Sequence, residues 1–234
     1  MIYMIRHGQA SFGQKNYDKL SQKGISQMQT LSVYWADISL RIDAVYSGPL
    51  ERQKVSALEV VRSYRKFGKK IPDAVVVQDL TEFDYLSVLT SQVPDMVKED
   101  QSLNDDLQRI YTDEVSFKRV FEGAIIRWVS GRFDKPGVET WGDFSSKTCK
   151  ALTDMASAHG SGKNIMVFTS GGCIAAALQL SLGLSNEHAV RLNWQIINSS
   201  VTRFKYSRKR IILGGFNAIA HLQLKKDRTL ITYR

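Results

Sequence analysis

The sequence predicts an α/β protein in three layers, a mostly parallel but mixed sheet with helices on both faces. Short apolar runs at 2–5, 43–46, 74–77 and 164–169 have the length of strands. Helical patterns at 21–37, 51–64 and 139–158 alternate with them, the order that builds parallel sheets. The 234 residues are 43% hydrophobic and 24% charged, enough apolar material for one large core, and no linker-like stretch divides them. A single domain over 1–234 is expected.

The first run, Ile2-Tyr3-Met4-Ile5, leads directly into Arg6-His7-Gly8. Ligands of open α/β sheets gather outside the carboxyl ends of the strands, so this imidazole is placed where an anion can meet it. Arg6 offers a planar, permanently charged fork that matches phosphate oxygens, and Gly8 allows close approach of the backbone. His7 is then a candidate nucleophile. The bland alternative is a surface histidine at a strand end, and three residues alone do not separate the two.

The next elements add to the same edge. After Ala44-Val45-Tyr46 comes Gly48-Pro49-Leu50-Glu51-Arg52, with Ser56-Ala57 next in a helical pattern, which puts Arg52 near a second strand end. Asp79-Leu80-Thr81-Glu82-Phe83-Asp84 comes after the third run and delivers a carboxylate there. Glu82 and Asp84 are the acidic side chains of that segment. Between 79 and 138 the periodicity breaks into mixed pieces, with helices expected near 94–110 and 114–131, and this insertion is expected to cap the site. Tyr85, Tyr111, Phe117, Phe121, Trp128 and Trp141 could line it, although aromatics at helical spacing are more often packing. The late run 164–169 leads into Ser170-Gly171-Gly172 and a helical pattern over 174–182, whose free N–H groups favour an anion. A hairpin is expected from 199–206 and 211–216.

With these residues in place the chain resembles the histidine phosphatase superfamily, also called the phosphoglycerate mutase-like family. Arg6-His7-Gly8-Gln9 and Leu20-Ser21-Gln22-Lys23-Gly24 are similar to its N-terminal signature. Gly48-Pro49-Leu50-Glu51-Arg52 resembles its Ser-Pro-Leu-x-Arg segment, with Gly48 for Ser and Ser56 for the usual Thr. Glu82 stands where the general acid is expected, and Asn198, Asn217 and His221-Leu222 resemble the C-terminal pattern. The resemblance implies a phosphoglycerate mutase-like fold and phosphomonoester hydrolysis through a phosphohistidine. His7 would be the nucleophile, Glu82 the acid with Asp84 the runner-up, and Arg6, Gly8, Arg52, Ser170 and Gly171 the phosphate-binding groups. It implies no cofactor and no metal, and as partner a phosphorylated small molecule or a phosphate ion.

One departure is visible. The family carries a second His before two glycines, and this chain has Ser170. Losing one preorganised donor of that kind costs roughly 10²–10³ in rate, so reduced activity is expected while anion binding survives. Gly171 and Gly172 are expected to leave the turn uncrowded, so that Ser170→His would raise turnover modestly. Two alternatives remain: a catalytically weak pseudoenzyme that binds a phosphorylated metabolite or protein, and, with less support, a phosphoglycerate mutase.

None of the three other histidines is expected to fill the gap. His159 precedes the late strand at the edge away from the site, His188 falls in a polar turn facing solvent, and His221 reads as a structural histidine. Gly160-Ser161-Gly162-Lys163 imitates the end of a P-loop, but Asn164 replaces the needed hydroxyl and the next element is a strand in place of a helix.

Lys and Arg number 32 against 23 Asp and Glu, a formal net charge of +9. The basic runs at 62–70 and 203–210 could track a nucleic-acid backbone, but one closes a helix and the other spans a hairpin turn, so solvated faces are favoured over nucleic acid. No apolar stretch reaches membrane length and no signal-peptide pattern opens the chain, so a soluble, cytoplasmic protein without a membrane partner is expected. Cys149 and Cys173 make no metal spacing and read as reduced thiols. A homo-oligomer stays open.

Overall fold

The computed structural model describes residues 1–11, 18–110, 112–207 and 210–233. Its centre is a six-stranded mixed sheet in the order β3-β2-β4-β1-β5-β6. The strands are β1 (Ile2–Arg6), β2 (Ala44–Ser47), β3 (Ala74–Val76), β4 (Ile165–Thr169), β5 (Val201–Tyr206) and β6 (Ile211–Ala218). The first four are parallel, and the C-terminal hairpin adds two antiparallel strands beside β1. Registers of Ile2 on Ile165 and Arg6 on Thr169 bring the ends of β1 and β4 level.

Alternation along the strands separates two apolar faces. Ile2, Met4, Ile165 and Val167 join one core with α6 (Trp141–His159) and α7 (Gly171–Leu182). Ile5, Val45, Met166 and Phe168 join the other with α1 (Gln22–Asp37) and α2 (Glu51–Lys66). This is the expected three-layer α/β sandwich. Burying each large apolar side chain contributes about 1.5–3 kcal/mol, so two such faces hold the sheet from both sides.

The helices start where local chemistry lets them. Ser21 accepts from the Gly24 N–H at the head of α1, and Thr140 accepts from Asp143 N–H at the head of α6. Arg65 and Lys66 lie in the last turn of α2, where cations complement the helix dipole.

The segment from 85 to 129 differs from expectation. A helix expected near 94–110 is instead two: α3 (Tyr85–Glu99), with Pro94 inside it, and α4 (Leu103–Arg109). Asp84 starts α3 early by accepting from the N–H groups of Leu86 and Ser87. Asp100 breaks the run by accepting from Ser102 N–H and Oγ at 3.0 and 2.6 Å. α5 (Glu114–Val129) returns beside them, and Arg127 grips Glu99 at the end of α3 through two bonds of 2.6 and 2.8 Å.

The polar stretch around His188 is a helix, α8 (Asn186–Asn193), because Ser185 caps it; His188 faces solvent as expected. α9 (Ala220–Gln223) closes the set near the C-terminus. Tyr111 and the hairpin-turn residues Arg208 and Lys209 lie outside the described residues. Among the described residues no helix is long and apolar enough to cross a membrane.

Candidate active site

The segments that leave the parallel strands of this sheet emerge on one edge. β1 delivers His7, the turn after β2 opens α2 with Arg52 in its first turn, β4 delivers Ser170, and the segment after β3 delivers Glu82. His7 N–H donates to Thr169 O at 2.9 Å, which sets the end of β1 against the Ser170 turn.

His7 is buried, and its neighbours set its protonation. Nδ1 is 2.7 Å from Gly8 O, which can only accept, so Nδ1 carries the proton. Nε2 is 3.2 Å from Arg52 Nε, which can only donate, so Nε2 presents its lone pair. Burial pushes the imidazole pKa well below its ordinary value, and the Arg52 and Arg6 charges push the same way. The result is a neutral imidazole whose unprotonated nitrogen faces a guanidinium.

Asp18 holds that guanidinium. Its carboxylate accepts from Arg52 Nη1 at 2.7 Å and from the N–H groups of Glu51 and Arg52 at 2.7 and 3.4 Å, so one side chain caps α2 and fixes Arg52. Sequence reasoning missed Asp18, and a partner 34 positions away leaves no local pattern. Arg6 is engaged differently from the expected phosphate fork: Nη1 donates to Ile196 O and Nη2 to Tyr233 O, the latter at 2.8 Å. Its charge still reaches both His7 and Glu82.

Glu82 retains some exposure as a residue, yet its carboxyl is surrounded by protein. Oε2 accepts from Gly172 N–H at 3.0 Å and Oε1 from Phe83 N–H at 3.1 Å. Desolvation outweighs these donors and the two arginine charges, and its pKa is raised. Asp84, the runner-up, is exposed and accepts from Leu86 and Ser87 N–H and from Ser87 Oγ as the cap of α3, with a lowered pKa. Its carboxylate is committed to the helix cap and favoured in the ionised form.

Two expectations about glycines need correction. The Gly8 N–H is committed to Ser56 Oγ at 3.1 Å, and the place of a Cβ is taken by Gly24 O, 2.4 Å away. Gly8 therefore lets α1 approach the backbone of the strand end and does not offer its N–H to an anion. The turn after β4 is crowded, not open: a Cβ on Gly171 would lie 2.0 Å from Asn193 Oδ1, and one on Gly172 2.1 Å from Glu82 Oε1. Ser170 itself is buried, and its Oγ accepts from Gln53 Nε2 at 2.9 Å.

The remaining candidates fall where structural roles explain them. His159 Nε2 pairs with Tyr46 OH at 2.8 Å at the end of α6, and His221 Nε2 lies 2.9 Å from Ser199 Oγ in the interior. Asn198 Nδ2 donates to His7 O and so steadies the strand end. Trp128 and Trp141 are core residues with their indole N–H groups bonded to Glu139 O and Gln179 Oε1, while Tyr85, Phe117 and Phe121 pack on one another. An open depression of about 440 Å³ beside Lys118, Arg119 and Arg191 contains none of the candidate residues. Among the described residues no three His, Cys, Asp or Glu side chains converge as metal ligands.

Fold and site together define an α/β protein in which His, Arg and Glu side chains meet at the carboxyl edge of the parallel strands. The chain belongs to the histidine phosphatase superfamily (branch 1), whose family description matches residues 2–219. Solved structures with the same fold include a phosphoserine phosphatase of Entamoeba histolytica, crystallised with phosphoserine, at 18% identity and a TM-score of 0.61, covering 94% of this chain and 98% of that one. A phosphoglycerate mutase of Bacillus anthracis aligns at 15% identity and a TM-score of 0.65, covering 97% and 96%. A mycobacterial glucosyl-3-phosphoglycerate phosphatase in complex with inorganic phosphate aligns at 17% identity and a TM-score of 0.59, covering 94% and 98%. A sequence comparison with curated proteins finds no significant match.

Proposed function

We propose that the protein hydrolyses phosphomonoesters through a phosphohistidine on His7. The observation that carries this reading is the pairing of opposite protonation states in one site. His7 is kept neutral with Nε2 as a lone pair, and Glu82 is biased toward its protonated form. Nε2 attacks phosphorus, the P–O bond to the alcohol breaks, and Glu82 gives its proton to the departing alkoxide. Water then attacks the phosphorylated imidazole, Glu82 recovers a proton from it, and the P–N bond breaks to release phosphate. Arg52 neutralises the transferring oxygens beside Nε2, and Arg6 adds charge from behind. Ser170 stands where the family's second histidine is expected, and Gly171 is next to it at the head of α7. The insertion over 79–138, with α3 to α5, serves as the cap over the site. The substrate class is a small phosphorylated molecule, which the phosphoserine and the inorganic phosphate bound by two of the structural relatives support.

One observation favours a second reading, binding with little turnover: at the position read as the family's second histidine stands a neutral hydroxyl, Ser170 Oγ, which accepts from Gln53 Nε2. Brief reaction with a labelled aryl phosphate and then a denaturing quench separates the two. Acid-labile, base-stable phosphate on His7 is expected, and His7→Ala should abolish both the label and turnover. Turnover in His7→Ala as fast as in the wild type would overturn the mechanism.

A further inference from the structure

Gln53 is fully buried in the first turn of α2, beside the site but unused by the chemistry above. Its amide is oriented without ambiguity. Oε1 accepts from the Leu50 N–H at 3.1 Å, and Nε2 donates to Leu80 O at 3.1 Å and to Ser170 Oγ at 2.9 Å. A flipped amide would set donor against donor at Leu50 and acceptor against acceptor at Leu80. Ser170 is the N-cap residue of α7, a position at which serine commonly accepts from an N–H of the first turn. It makes no such bond. Its oxygen is occupied by Gln53 instead, so its own proton must point elsewhere, and Ser170 is not a donor to any described group.

The space around the amide is fitted to it. A Cβ on Gly48 would lie 2.1 Å from Gln53 Oε1 and 2.5 Å from Leu80 O, so glycine at 48 makes room for glutamine at 53. An imidazole at 170 whose Cγ took the place of Oγ would drive its ring into the amide 2.9 Å away. Gly48, Gln53 and Ser170 are one arrangement.

We propose that Gln53 is the positioning residue for Ser170: by donating to Oγ it turns the serine proton toward a bound phosphoryl oxygen. The site is thus built around a serine donor and is not a histidine site that lost its histidine. This inference rests on the phosphomonoester reading for its ligand. It reverses the expectation that Ser170→His alone would help.

The test is a double-mutant cycle on Gln53→Met and Ser170→Ala, with Ser170→His and Ser170→His/Gln53→Ala alongside. Gln53→Met keeps the length and removes the donor. Hydrolysis of an aryl phosphate gives kcat and KM, and the rise in Tm with vanadate reports anion binding. Each single variant of the cycle should lower kcat by about tenfold, and the double should be no slower than the slower single, because Gln53 acts through the hydroxyl. Ser170→His should fall to or below the wild-type kcat with a lower Tm, and removal of the Gln53 amide should recover both. Additive losses in the cycle, or a gain from Ser170→His that Gln53→Ala does not change, would overturn the proposal. If the wild type hydrolyses nothing, the phosphatase reading fails by itself and the same cycle, read in the vanadate-induced Tm rise, decides the role of Gln53. A wild type that vanadate does not stabilise overturns both.

Discussion

Gly8 O fixes the tautomer of His7, and that bond together with the two pKa displacements sets the pH dependence of the site. In the proposed mechanism the attacking His7 must be neutral, a state lost as pH falls through its lowered pKa, so the acid limb should lie below about 6.5. The proposed transfer from Glu82 requires the protonated acid, which is lost as pH rises through its raised pKa, so the alkaline limb should lie above the ordinary carboxylate value. The rate of phosphoenzyme formation against pH measures both. Glu82→Gln should erase the alkaline limb and slow alkyl phosphates by about 10²–10⁴, while aryl phosphates, whose alcohols leave without a proton, should lose far less. Equal losses for both classes would remove Glu82 from the role of acid. Arg6, His7, Arg52 and Glu82 were legible because each comes just after a recognisable strand pattern. Asp18 and Gln53 were not, since a cap on a distant helix and a buried amide leave no periodic signal.

At the scale of elements, the head of α7 shows local propensity overruled by close approach. Alanine is favoured over glycine in a helix by up to about 1 kcal/mol, which taken alone predicts that Gly172→Ala stabilises α7. The added Cβ would lie 2.1 Å from Glu82 Oε1 and 2.9 Å from the Phe83 ring, both held by the packed segment after β3. Overpacking of this kind costs about 1–3 kcal/mol and wins. Gly142 in the first turn of α6 is the contrast, because its Cβ would meet only Thr140 Oγ1 at 3.6 Å. Thermal melts should show Gly142→Ala at or above the wild-type Tm and Gly172→Ala below it, with kcat lowered only in Gly172→Ala. A Gly172→Ala variant as stable and active as the wild type would mean that the Glu82 contact does not constrain the site. The helices with clear apolar stripes, α1, α2 and α6, were read within a few residues. The 94–110 region was misread because Pro94 resembles a helix start, whereas the Asp84 cap begins the helix nine residues earlier.

Across the whole molecule, the C-terminal segment is fastened to the site strand by buried polar bonds. Ser199 N–H donates to Arg6 O at 3.0 Å, its hydroxyl meets His221 Nε2 at 2.9 Å, and Asn198 Oδ1 accepts from Thr232 Oγ1 at 2.9 Å. Burial lowers the His221 pKa to about 4. The unfolded chain binds a proton at this residue near pH 6.5 and the folded one does not, so stability is full above that value and is lost as pH falls toward the folded pKa. The loss across that window is about 3 kcal/mol for this residue. His7, displaced in the same direction, adds to the slope, and Glu82, raised above its ordinary value, opposes it at the acid end. Urea unfolding at a series of pH values should show a shallower loss from about 6.5 to about 5 in His221→Asn than in the wild type. Parallel slopes would show that the histidine titrates freely in the folded state.

The sequence by itself determined the layer order, the strand ends that carry Arg6, His7, Arg52 and Glu82, and the resemblance to the family to which the chain belongs. These are properties of periodicity and of short segments, whose physics is local: alternating side chains, helix caps, and parallel strands that must all deliver their succeeding residues to the same edge of the sheet. Only the tertiary structure decided which nitrogen of His7 carries the proton, why the Glu82 carboxyl is enclosed with a raised pKa while Asp84 caps a helix with a lowered one, and which groups surround Ser170. Those depend on the direction of hydrogen bonds and on the fine fit of neighbouring atoms, set by groups such as Gln53 and Ser170 that stand 117 positions apart. A chain read in one dimension records that both are polar; their meeting 2.9 Å apart is fixed by the packing of α2 against β4.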